Sequence, residues 1–96
     1  MERYKKKFNE ADGNWEELKT LLQSKKSISS LDISINKGGL VHLDEPRVEI
    51  HNDYINFKSK NSIVVLSKHV FKKFNEKHNN RIEINFHGFD VDLIVF

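Results

Sequence analysis

The chain has 96 residues, 38% hydrophobic and 31% charged, with a formal net charge of +2 and no cysteine. One domain of this length buries roughly two thirds of its unfolded surface, enough for a single modest core. Disulfides, thiolate metal sites and cysteine nucleophiles are excluded, no stretch approaches the roughly 20 apolar residues of a membrane span, and the polar residues after Met1 hold no leader-like apolar run.

The expected setting is therefore cytoplasmic, without a membrane. Thirteen lysines against three arginines, with ten asparagines and nine isoleucines, is a usage that accompanies AT-rich coding sequence, as in low-GC bacteria and their phages. The charge is segregated. Residues 58–80 hold six lysines and one glutamate, net +5, whereas residues 81–96 hold one arginine and three acids, net −2.

In residues 1–13 Tyr4 and Phe8 are four apart, which fits a helix face and a strand face alike, and the segment is expected to be a flexible or loosely docked lead-in. Asn14 followed by Glu17 has the spacing of a capping box. Trp15, Leu18, Leu21 and Leu22 then follow helical spacing, so a helix is predicted over 14–26. Ser27–Ser30 reads as a linker. Leu31, Ile33 and Ile35 alternate with polar residues, as in a half-buried strand. Lys37-Gly38-Gly39 reads as a three-residue turn pairing Ile35 with Val41 and Ile33 with Leu43.

Pro46 ends the second arm. A second hairpin is predicted with Asn52-Asp53 as its turn, setting Ile50 against Ile55, Val48 against Phe57 and His51 against Tyr54. Ile63-Val64-Val65-Leu66 is a short apolar run, read as a strand covered on both faces. Ser67 is placed to cap a second helix over Lys68–His78, with Val70, Phe71 and Phe74 as its stripe. Ile82, Ile84 and Phe86, then Val91, Leu93 and Val95, alternate as the arms of a last hairpin around His87-Gly88-Phe89. Its second arm, ending on Phe96, is expected inside a sheet.

The predicted fold is a single α+β domain over 1–96: a mostly antiparallel sheet of five to seven short strands with two helices packed on one face, in the order α-ββ-ββ-β-α-ββ.

Motifs of chemistry are weak. The five histidines have no H-x-H or H-x-x-x-H spacing. His51 and His87 fall near turns, with Asp53, Asp90 or Asp92 as conceivable partners, but surface positions explain them more simply. Asp90 and Asp92 share a strand face, with Glu83 across from them, and read as the solvent side of a hairpin. Lys37-Gly38-Gly39 lacks the spacing of a phosphate loop. No catalytic, metal-binding or cofactor-binding residue is expected, and no cofactor.

Two surfaces remain. Lys58, Lys60, Lys68, Lys72, Lys73 and Lys77 form a candidate binding face for an anionic partner. Asp90, Asp92, Ile94 and Phe96 form a candidate contact patch on the last strand, where Ile94 and Phe96 are expected to be covered by a helix. The expected function is a small non-enzymatic intracellular binding protein that docks a macromolecule, most simply a protein, in the manner of inhibitor, immunity or phage–host interaction proteins. Nucleic-acid binding through the Lys58–Lys77 face is the alternative, and a small enzyme without a recognisable motif the third reading. Homodimerisation through a sheet edge is a further expectation.

Overall fold

The computed structural model describes residues 13–35 and 38–96. The expectation for residues 1–13 lies, except for Gly13, outside the described residues. The described chain is one helix, α1 (Trp15–Gln23), followed by eight strands: β1 (Ile28–Ile35), β2 (Leu40–Asp44), β3 (Arg47–Ile50), β4 (Tyr54–Lys58), β5 (Ile63–Ser67), β6 (Phe71–Lys77), β7 (Arg81–Phe86) and β8 (Phe89–Val95). A 3-10 turn, Lys68–Val70, separates β5 from β6. The strands form two antiparallel sheets, one of five strands in the order β2-β1-β8-β7-β6 and one of three in the order β3-β4-β5. The α+β class and the antiparallel pairing stand. The second helix, the single sheet of five to seven strands and the predicted order do not.

The capping box on α1 is formed as predicted. Asn14 Oδ1 accepts from Glu17 N at 2.8 Å, and Glu17 Oε1 accepts from Asn14 N at 3.0 Å. The helix stops three residues earlier than predicted, at Gln23, with Ser24 as its C-cap. The stretch read as a linker begins a strand instead, because Ile28 turns into the core.

Replacing the second helix, Lys68–His78, with a strand is the largest correction. Ser67 does cap, its Oγ accepting from His69 N, but the helical turn closes after Val70 and Phe71 is already extended, with φ −73° and ψ 138°. Phe71 pairs with Phe86, Lys73 with Asn85 and Phe74 with Ile84, so Lys72 is an extra residue in β6. That bulge carries Phe71 and Phe74, three apart, to the same inward face. An i, i+3 apolar pair is what a helix would show, and the bulged strand imitates it.

Two turns differ by small slips. The first hairpin pairs Ile33 with Val41 and Leu31 with Leu43, two residues from the predicted register. An even shift keeps every side chain on its face. In the last hairpin Phe86 pairs with Phe89, so the turn is His87-Gly88 alone, with Gly88 at φ 100°. A three-residue turn would have set Ile84 against an outward residue; the observed register sets it against Val91. The Asn52-Asp53 hairpin has the predicted pairs, and the His51 and Tyr54 rings stack at 4.4 Å. As predicted, β8 lies inside its sheet, between β1 and β7.

Both sheets and α1 share one core. Leu18 and Leu22 of α1, Leu31 of β1, Phe57 of β4, Leu66 of β5, Ile82 and Ile84 of β7 and Leu93 of β8 are all buried in it. Trp15 joins the two sheets: its indole Nε1 donates to Asn52 O in the β3–β4 turn at 2.8 Å, while its ring meets Phe71 of β6 edge-on at 5.4 Å. No helix among the described residues is long and apolar enough to cross a membrane.

Candidate functional site

The outer face of the five-stranded sheet is open to solvent. The register aligns His42, Asp32, Asp92, Glu83 and Asn75 in one row across β2, β1, β8, β7 and β6. Three carboxylates therefore stand directly opposite one another, an arrangement that costs stability in a sheet. The neighbours mitigate it. His42 places Nδ1 2.5 Å from Asp32 Oδ1 and Nε2 2.8 Å from Asp44 Oδ1. These hydrogen bonds, that to Asp32 first, raise the imidazole above its ordinary pKa. Asp92 is pushed up chiefly by burial, opposed by Arg81 and reinforced by Glu83, Asp32 and Asp90.

The two carboxylates at His42 sit on opposite ring nitrogens, so the trio is a hydrogen-bonded bridge. Among the described residues, no group of three His, Asp or Glu is placed to hold a metal ion.

The sequence missed this bridge through the two-residue register error. In the predicted hairpin His42 faces Ser34, whereas in the structure it faces Asp32. The readable part of the signal was His42-x-Asp44, which any strand places on one face.

The predicted contact patch is assembled but uncovered. Asp90, Asp92 and Ile94 share the outer face of β8, and Phe96 follows its end. Asn85 Nδ2 donates to Asp90 at 2.7 Å, and Arg81 lies 3.6 Å from Asp92. Ile94 is 36% exposed and Phe96 59% exposed, so no helix among the described residues covers them as expected. The reason is that α1 packs its apolar side into the shared core, and the second helix is β6.

The six lysines are divided. Lys58 lies on β4, Lys60 in the β4–β5 turn and Lys68 in the 3-10 turn, all attached to the three-stranded sheet. Lys72, Lys73 and Lys77 lie on β6. Lys58 donates to Glu49 at 3.0 Å and holds that carboxylate below its ordinary pKa, with Asn56 helping. Lys77 pairs with Glu83 at 3.1 Å. No single helix face presents them together. His51 and His87 sit on the turns of different sheets, His51 stacked on Tyr54 and His87 N donating to Val70 O.

β5 is the surface the sequence reading misjudged most. It is an edge strand, paired only with β4 among the described residues. Leu66 is buried and Val64 half-buried, but Ile63 is 61% exposed and Val65 56% exposed. The run is thus covered on one face, not two. A further cleft of about 550 Å³ lies beside the end of α1, lined by Lys25, Lys26, Glu45 and Arg47 among others. Its charged lining residues are of both signs.

No family model matches the chain, and neither a curated protein nor a solved structure matches it.

Proposed function

We propose that this chain is a small intracellular, non-enzymatic binding protein that acts by docking a protein partner, of the inhibitor, immunity or phage–host interaction kind. One observation supports the reading. Ile63 and Val65, two large apolar side chains left in solvent, lie on one face of the edge strand β5. Single exposed apolar residues are ordinary on protein surfaces. Apolar residues beside unpaired backbone are what strand-recruiting surfaces combine.

Nucleic-acid binding is less well supported, since Lys58 and Lys77 are engaged by glutamates and the six lysines are spread over β4, the β4–β5 turn, the 3-10 turn and β6. The test is capture by the tagged protein from a lysate of the source organism, with and without nuclease, at low and moderate salt. The expected result is one protein retained after nuclease at moderate salt, which rebinds when purified. Retention of nucleic acid alone, falling with roughly one log unit of affinity per log unit of salt for each phosphate neutralised, would overturn the reading.

A further inference from the structure

We propose that β5 is a strand-addition site, and that its occupant is an extended segment of a partner protein, apolar at alternate positions and acidic at both ends. This rests on the protein-docking reading and specifies the edge and the chemistry of the guest.

The backbone sets out the free groups. Ser59 N donates to Ser62 O and Lys68 N donates to Asp53 O, both at 2.8 Å. In an antiparallel ladder alternate residues exchange both hydrogen bonds with their partner. Stepping by two between these anchors, Ser62, Val64, Leu66 and Lys68 turn their peptide groups toward β4. Ile63 and Val65 turn their N–H and C=O outward, where no described residue pairs with them. The same two residues expose their side chains. One pair of residues thus presents both the hydrogen-bonding groups and the apolar surface that a guest strand needs.

The other edges of the molecule are defended, and β5 is not. Exposed edges are ordinarily protected by charge, proline, bulges or a covering segment. β2 carries His42 and Asp44 on its edge, each salt-bridged or hydrogen-bonded. β3 follows Pro46 and begins with Arg47. β6 has the Lys72 bulge and a backbone bridge to Gly13, whose N donates to Phe74 O at 3.0 Å. Ile63–Ser67 has no charge, no proline, no glycine and no bulge.

The charge at the ends selects the occupant. Residues 59–68 include Lys60 and Lys68 and no acidic residue. Neither lysine has an ion-pair partner among the described residues. A second copy of β5 paired antiparallel would bring Lys60 of one chain toward Lys68 of the other, which repels. A guest with carboxylates at both ends meets the lysines with opposite charge.

The probe is a synthetic nine-residue peptide of alternating threonine and valine, with two acidic residues at each end, followed by fluorescence anisotropy against the full chain. Two comparators carry lysines at the ends, or N-methyl groups at alternate central residues. The acidic peptide is expected to bind at least tenfold more tightly than either, and more weakly as salt rises. Val65→Pro is expected to abolish binding. Its proline removes only an outward N–H, a position an edge strand tolerates, so the β4 ladder and the thermal transition should persist. If Val65→Pro fails to fold, Val65→Lys takes its place. Lys60→Glu with Lys68→Glu is expected to invert the preference toward the lysine-ended peptide.

Equal binding of the acidic and lysine-ended peptides, or binding indifferent to N-methylation, would overturn the proposal. So would self-association in sedimentation that Val65→Pro removes, since the occupant would then be a second copy. A partner protein captured equally by wild type and Val65→Pro leaves the docking reading standing and overturns the strand-addition site. Selective peptide binding without any captured protein does the reverse.

Discussion

The two sheets bury their inner faces in the same core yet treat their outer faces differently. The five-stranded sheet sets ionisable groups in register and satisfies them locally: His42 between two aspartates, Asp90 with Asn85, Lys77 with Glu83. The three-stranded sheet satisfies only its charged corner, Glu49 with Lys58, and leaves β5 with apolar side chains and unpaired backbone. A face whose ionisable groups mostly find local partners offers little to an apolar guest strand. A strand that keeps apolar surface and hydrogen-bonding groups in water gains from one.

Breaking the shared core should disturb both regions together. Phe57, fully buried on β4, holds the small sheet to the rest. Phe57→Ala is expected to cost about 3–5 kcal/mol, measured by urea unfolding. A loss under about 1 kcal/mol would mean that the small sheet is not integral to the fold. Next in size is the helix that bridges the sheets through Trp15. Asn14→Ala removes one half of the capping box and is expected to cost about 1 kcal/mol, again by denaturant midpoint.

Smaller effects separate the outer faces. Asp92 has its folded pKa raised, so its ionised form is disfavoured by folding. It therefore subtracts stability above its unfolded pKa, and the penalty disappears as pH falls and the group is protonated. Asp92→Asn should stabilise by a few tenths of a kcal/mol at pH 7, with the gain vanishing in acid. Destabilisation at pH 7 would show that the Arg81 contact outweighs the carboxylate row.

His42 runs the other way. Its folded pKa is raised, so its stabilisation is complete below its unfolded pKa and is lost as pH rises through the folded value. Its NMR titration midpoint should lie above the ordinary histidine value and move down in Asp32→Asn. An unchanged midpoint would remove the bridge. Smallest of all, Val65→Thr on β5 should alter stability by no more than about 0.5 kcal/mol, because Val65 is largely exposed. A larger loss would mean that the outward face of β5 serves folding rather than contact.

What the sequence determined by itself was whatever neighbouring residues decide between them. Asn14 and Glu17 are three apart, and their capping box needs only the first turn of a helix. Ile82, Ile84 and Phe86 repeat every second residue, a period a strand satisfies with one buried face. Asn52-Asp53 suffices for its hairpin, and the register follows from the turn. Tertiary structure decided the rest. Residues 71–77 became a strand because β7 was there to pair with them and a bulge at Lys72 could place both Phe71 and Phe74 inward, against their helix-like spacing. The register that joins His42 to Asp32 belongs to a hairpin held in place by β8 on its other side. That β5 is an edge, with Ile63 and Val65 in solvent, depends on which strands found partners. Periodicity records what a segment buries, while pairing is set by contacts distant in sequence, and the candidate site arises from the pairing.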